Sequence, residues 1–246
     1  MGIFKSIITH YRKRKFPMVG NVEAICPYCN YALDKKPGRK KKCPGCNNFI
    51  YVRTSPKTGE KILITETQID TIEEQWSIID GTHSEYKQKK KIIENKRKSL
   101  TKKFGREPSE NDIKWSLLNK ELIDNASSGN WGLYRNTKFA MAEILSAESK
   151  SKQALSIFLE VTYLDVNGPC NTGGYTSKEF PPFQKSHAMI APGVISRASK
   201  IITNMELNMN DTKAIFDDIA EVNFKNLKLP VKPETAWKKI KKELFQ

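Results

Sequence analysis

Apolar residues recur along this chain with two different periods, and the change of period divides it. Phe49-Ile50-Tyr51-Val52 and Lys61-Ile-Leu-Ile-Thr65 read as short strands joined by a turn over 54–61, and Val22 with Ile25 predicts a further strand ahead of them. From Thr65 onward the spacing becomes three and four. Thr65 and Gln68 form a capping box that opens a helix carrying Ile69, Ile72, Trp76 and Ile79, and Asp80-Gly81 ends it.

The rest of the chain reads as helices. Over 84–104, Tyr86, Ile93, Leu100 and Phe104 make a narrow stripe on a polar helix, which buries little and lies along a partner or projects. Ser109, with Asp112 three residues on, caps a helix bearing Ile113, Leu117, Leu118 and Leu122, and Asn125–Asn130 reads as a loop. An antiparallel pair follows, with Trp131, Tyr134, Phe139 and Leu145 on the first helix, a turn at 148–152, and Leu155, Phe158, Leu159 and Tyr163 on the second, which stops near Asp165. The segment 165–186 is a long Gly/Pro-rich loop, and such loops are often functional. Helices over 192–206, 211–224 (capped by Asn210 or Asp211) and 233–245 close the chain.

At the other end, Ile3, Phe4, Ile7, Ile8 and Tyr11 fall on one face of a basic amphipathic helix over 1–20. It docks on the rest of the protein or lies on a membrane surface. The predicted organisation is that helix, a β module over 21–64, acidic-then-basic connecting helices over 65–106, and a multi-helix domain over 107–246. The fold class is mainly α, with a small N-terminal β module followed by a multi-helix domain.

Charge sharpens the picture. The net charge is +15, and it is uneven: residues 1–60 carry +10, 61–83 carry −4, 84–106 carry +8 and 107–246 carry +1. Cations concentrated this way attract polyanions, chiefly nucleic acid. No apolar run is long enough to span a bilayer, and no signal peptide is evident, so the expected setting is the cytoplasm, where thiols stay reduced.

Four of the five cysteines then read as metal ligands. Cys26-Pro-Tyr-Cys29 and Cys43-Pro-Gly-Cys46 are two C-P-x-C turns thirteen residues apart. Each turn aims two thiolates at one centre, and a Cys₄ set closes a tetrahedral zinc shell with no position left for water, which makes the site structural. Iron in a rubredoxin-like site and disulfide pairing are the alternatives. Pro27 and Pro44 stiffen the turns, and Gly45 is expected to supply a positive φ. Between the knuckles, Lys35, Lys36, Arg39, Lys40, Lys41 and Lys42 place six cations in eight residues, on a loop whose ends the metal holds. With Lys89, Lys90, Lys91, Lys96, Arg97 and Lys98 on the basic helix, they are the candidate nucleic-acid-binding residues.

Residues 26–54, CPYC…CPGCNNFIYVRT, resemble the small zinc ribbons of proteins encoded by bacteriophages, prophages and bacterial mobile elements. REPSENDIKWSLLNK (106–120), NWGLYRNTKFAMAEIL (130–145) and YLDVNGPCN (163–171) look like an uncharacterised zinc-ribbon family from those sources, over about 60–220. The resemblance implies a bacterial or phage-infected cytosol and carries no established activity. Separately, Phe139–Asp165 is similar to one tetratricopeptide hairpin, without a second copy.

Catalytic signatures are sparse. The three histidines, His10, His83 and His187, form no metal-binding motif, and no Walker A loop, G-x-S-x-G or dinucleotide-binding glycine signature occurs. Cys170 is the one candidate nucleophile, with His187 as the candidate base to pair with it, and supports a minor enzymatic alternative. Trp131, Tyr134 and Arg135 read as anchors of the helical core, with a base-stacking patch as the alternative. The expected function is a non-enzymatic zinc-ribbon protein that binds DNA or RNA, or a transcription or replication complex. The main alternative is a factor whose helical domain docks on a host protein, the basic surface being incidental.

Overall fold

The computed structural model describes residues 16–175 and 181–245. The helix expected near the N-terminus lies outside them as far as residue 15, as do residues 176–180 of the long loop. The fold is mainly α, with a small sheet toward the N-terminus. The chain divides into two compact units, Met1–Asn95 and Lys96–Gln246, and the boundary falls within the basic helix.

The first unit holds three antiparallel strands in the order β1 (Lys41–Lys42), β2 (Phe49–Thr54) and β3 (Lys61–Ile64). The register pairs Lys42 with Phe49 and Tyr51 with Ile64. Alternation then sorts the side chains. Ile50 and Leu63 pack with Cys26, Leu33 and Cys43 on one side, while Ile62 and Ile64 pack with Ile72, Tyr51 and Trp76 on the other. The strand expected around Val22 and Ile25 does not form. That segment is held by single bridges, Asn21 to Leu63 and Ile25 to Ala32, because the knuckle turns the chain away before a ladder can grow. In contrast, Lys41 and Lys42, expected in a loop, form β1.

Helix α1 (Ile69–Asp80) follows a 3₁₀ turn, Glu66–Gln68, at which the Thr65 N–H donates to Gln68 Oε1 at 3.0 Å; Gly81, at φ +80°, ends the helix. Helix α2 (His83–Phe104) is the basic helix. Of its apolar stripe, Leu100 is buried, Tyr86 and Ile93 are half-buried, and Phe104 is exposed.

The second unit is a bundle of α3 (Glu110–Ser127), α4 (Trp131–Ala147), α5 (Ser151–Asn167), α6 (Pro192–Asn204), α7 (Met209–Leu227) and α8 (Pro233–Leu244). Ser109 and Asp112 close the expected capping box on α3, with N–H···O distances of 3.0 and 2.9 Å. This helix runs into the expected loop as far as Ser127, where Asn125 is buried and donates from Nδ2 to Thr137 Oγ1 at 3.3 Å, and 128–129 remain a turn. The start of α7 also differs from expectation. Asn208 is the cap: its Oδ1 accepts from the N–H groups of Asn210 and Asp211 at 2.8 and 2.9 Å.

Helix α5 is the axis of the bundle. Leu155, Phe158, Leu159, Tyr163 and Leu164 are fully buried, and α4, α6, α7 and α8 all pack against it. The α4–α5 hairpin is thus the core of a closed bundle. Trp131 and Tyr134 pack on that core, edge to face at 5.3 Å. Arg135 makes a two-pronged ion pair with Asp165, both contacts 2.7 Å, so the three residues serve as anchors. No helix among the described residues is long and apolar enough to cross a membrane.

Candidate metal centre and its cationic surface

The sequence C-P-x-C-N builds each knuckle in the same way. The Asn30 N–H donates to the Cys26 carbonyl at 3.0 Å, and the Asn47 N–H to the Cys43 carbonyl at 2.9 Å, closing two tight turns. The Cys26 and Cys43 N–H groups then reach the Tyr31 and Asn48 carbonyls, each at 2.9 Å. Two further N–H groups point at sulfur: Tyr28 to Cys26 Sγ at 3.4 Å and Gly45 to Cys43 Sγ at 3.3 Å. The Asn48 amide adds a contact to Cys46 Sγ at 3.5 Å. Donors aimed at sulfur favour the thiolate over the thiol.

The positive φ expected at Gly45 occurs instead at Asn30 (59°) and Asn47 (58°). Asparagine tolerates that conformation because its amide bonds locally. Gly45 is required for space: a Cβ there would lie 2.8 Å from Tyr31 Cδ2, against the ring that covers the second knuckle.

The four Sγ atoms of Cys26, Cys29, Cys43 and Cys46 lie within 4.8 Å of one another and could hold a metal ion. Cys26 and Cys46 are 3.9 Å apart, and Cys29 and Cys43 are 3.8 Å apart. A tetrahedron with metal–sulfur bonds of about 2.3 Å has sulfur–sulfur edges of roughly 3.8 Å, so the donor set fits one ion. These separations are far longer than a disulfide bond of about 2.05 Å.

The thiols differ in proton affinity. Burial raises Cys43, but the Cys46 and Gly45 N–H groups and the neighbouring thiols outweigh it and bring the group down to about 7. The Tyr31 N–H lowers Cys29, yet desolvation and the other three thiols push it up to about 12. Desolvation also raises Cys26. Four sulfurs this close resist becoming anions together, and a divalent cation at their centre removes the repulsion.

The candidate nucleic-acid-binding cations differ in exposure and in their contacts. Lys35, Arg39, Lys40, Lys41 and Lys42 are exposed on the segment between the knuckles, and Lys89 and Lys91 are exposed on α2, with Lys98 exposed and Lys96 half-buried further along that helix. Several of these cations make contacts within the chain. Lys36 donates to the carbonyls of Val22 and Lys61, tying the entry of the ribbon to β3. Lys90 is paired with Asp70, which also accepts from the Tyr86 hydroxyl. Arg97 reaches Glu107 at 3.0 Å and also pairs with Glu110.

Sequence reasoning missed the aromatic component of this surface. Lys40 Nζ sits 4.2 Å from the Phe49 ring centre and 4.6 Å from that of Tyr51, and Lys42 Nζ is 5.3 Å from Phe49. The signal was present, since Phe49 and Tyr51 are two apart on one strand and so share a face. The Asn that follows the second cysteine of both knuckles likewise marked the positive-φ positions.

In the second unit, the structure brings Cys170 and His187 together, with Sγ 3.2 Å from Nδ1. Burial raises the Cys170 thiol, against a lowering backbone contact from Gln184. His83 packs on Tyr86 and meets Ser77 Oγ at 3.1 Å, and His10 lies outside the described residues. Compared with known proteins, the chain matches no family model, no curated protein and no solved structure.

Proposed function

We propose that this protein is a zinc-ribbon binding protein, not an enzyme, which holds one structural zinc ion and presents the cations that the ion fixes to nucleic acid or to a transcription or replication complex. The observation that carries this reading is that five exposed cations, Lys35, Arg39, Lys40, Lys41 and Lys42, lie on a segment closed at both ends by metal-ligand turns. Their positions follow from the centre. Four thiolates suit zinc and leave no open coordination position, which favours a structural over a catalytic ion. The resemblance of residues 26–54 to ribbons of phages and mobile elements supports a bacterial or phage-infected cytosol as the setting.

The test is a salt-titrated binding assay on DNA and RNA, with metal content measured on the same samples. Binding should weaken as salt rises, with a log–log slope of about 0.9 per duplex phosphate neutralised. Changing Lys35, Arg39, Lys40, Lys41 and Lys42 to glutamine should flatten the slope while the metal stays bound. Wild-type affinity in that variant favours docking on a host protein through the helical unit. Iron in place of zinc corrects the ion without changing the architecture.

A further inference from the structure

Two rings, Phe49 and Tyr51, stand against cations of the ribbon, and a third, Tyr28, shares a hydrogen-bond partner with Tyr51. Phe49 is 43% exposed and Tyr28 is 40% exposed, too much for core residues, while Tyr51 is half-buried and packs on the cluster of Ile62, Ile64 and Ile72. Their positions are fixed. The Tyr28 hydroxyl accepts from the Glu66 N–H, and the Tyr51 hydroxyl donates to Glu66 Oε1, each at 2.8 Å, so both tyrosines are pinned by their polar ends to one residue. Phe49 is held by β2, two residues before Tyr51 on the same face, and paired with Lys42 across the ladder. Lys40 lies over both Phe49 and Tyr51.

Charge alone does not call for such rings. A duplex presents phosphates outward and keeps its base faces stacked inside, so an exposed phenyl group has nothing to stack on. A single strand offers both a phosphate chain and open base faces. Aromatic rings interleaved with cations are what such a strand requires.

We infer that the Tyr28–Phe49–Tyr51 face, with Lys40 and Lys42 over and beside it, is a stacking platform for single-stranded nucleic acid. This rests on the nucleic-acid reading above and narrows it to the unpaired form. A base stacks on the ring of Phe49 in place of the ammonium group of Lys40, and Lys40 and Lys42 swing to the adjoining phosphates. Sequence preference is weak, because every base has a face to stack. Deoxyribose and ribose strands share this chemistry.

The experiment is fluorescence anisotropy on the full-length, metal-loaded protein, using a labelled single-stranded DNA, the matching RNA, the matching duplex and an abasic DNA strand at one salt concentration. Either single strand should bind at least about tenfold tighter than the duplex, and the abasic strand, which has phosphates but no bases, should fall to the duplex level. Phe49→Leu should weaken single-strand binding by about tenfold, within the range of one lost stacking contact, and leave duplex binding within about twofold. Phe49→Tyr should restore it, and unchanged metal content in both variants guards against misfolding. Which of the two single strands binds more tightly identifies the source. Equal affinity for single strand, duplex and abasic strand overturns the platform and leaves the nucleic-acid reading standing. Absence of binding to all four at low salt overturns that reading itself.

Discussion

Asn30 and Asn47 occupy the same place in two copies of one turn. Their φ angles are 59° and 58°, and each donates its backbone N–H to the carbonyl of the first cysteine of its knuckle. The left-handed region is strained for side chains branched at Cβ and is open to glycine and, less freely, to asparagine. Asn47→Gly should therefore leave the centre intact, while Asn47→Val should weaken metal binding by roughly the 1–2 kcal/mol of a forced left-handed residue. A competition titration against a chromophoric chelator, run on both variants, measures this directly. Equal affinity in the two would show that the turn does not depend on that conformation.

Removing the metal should affect the units differently. The first unit buries Ile50, Leu63, Leu33 and two of the cysteines in one small cluster, whereas the second has its own core around Phe158, Tyr163 and Phe216. A strong chelator, or Cys43→Ser, should unfold the ribbon and leave most helical circular dichroism in place. Proteolysis should then begin between the knuckles. Acid should act in the same direction, because protons compete with the ion for sulfur. With Cys29 pushed up to about 12 and Cys26 also raised, binding releases protons at neutral pH, and affinity falls as pH falls. Affinity that stays flat between pH 8 and pH 6 would contradict a thiolate site.

How much of this could be read in advance depended on distance along the chain. The quartet Cys26, Cys29, Cys43 and Cys46 was legible because its spacing is its geometry. The Ser109–Asp112 box was legible because a cap is a local bond. Asn125 looks like loop in the sequence because its partner, Thr137, is on another helix. Asn208 lost to Asn210 and Asp211 as the expected cap because all three are good capping residues, and only backbone geometry chooses among them. In a run of six cations every lysine looks alike, yet Lys36 turns inward to two carbonyls and its neighbours do not. Chemistry carried by one side chain is visible in sequence, whereas chemistry that depends on which neighbour it meets is not.

The Lys36 contacts make a separable prediction. Lys36→Gln should destabilise the first unit, because carbonyls served by an ammonium lose a charge-assisted bond, worth about 1.5–3 kcal/mol at most such sites. Lys35→Gln, on an exposed neighbour, should leave the melting temperature within a degree or two and reduce nucleic-acid affinity instead. Thermal melts and anisotropy on the pair tell fold-holding and ligand-facing cations apart. The same loss of stability in both would mean that the inward contacts are not used.

The Arg135–Asp165 pair is the most consequential polar contact of the helical unit. The arginine side chain is 13% exposed and the carboxylate 6%, and Asp165 also accepts from the Ala191 N–H at 3.2 Å, next to the start of α6. Breaking a buried pair leaves one charge without a partner and costs about 3–5 kcal/mol. Asp165→Leu should thus lower the denaturant midpoint sharply. Adding Arg135→Leu should recover part of the loss, because the stranded charge is gone. A double variant no better than the single would place the damage in the lost Ala191 contact.

The Cys170–His187 contact yields the last prediction, and it bears on the minor enzymatic alternative. A nucleophilic thiol paired with imidazole works best as a thiolate near an N–H donor that can receive the developing oxyanion. Here burial raises the thiol, and the Cys170 N–H donates to the Pro182 carbonyl at 3.0 Å, so that donor is already engaged. The pair also sits where the ends of the loop meet: Gln184 N–H bonds the Gly168 carbonyl at 2.8 Å, and Trp131 packs on Phe183. A role in closing the loop follows. Cys170 in the metal-loaded protein should react with iodoacetamide more slowly than a free thiol at pH 7.5, and Cys170→Ala should lower stability modestly without changing nucleic-acid affinity. Alkylation faster than the free thiol, abolished by His187→Ala, would instead mark an activated nucleophile and revive the enzymatic reading.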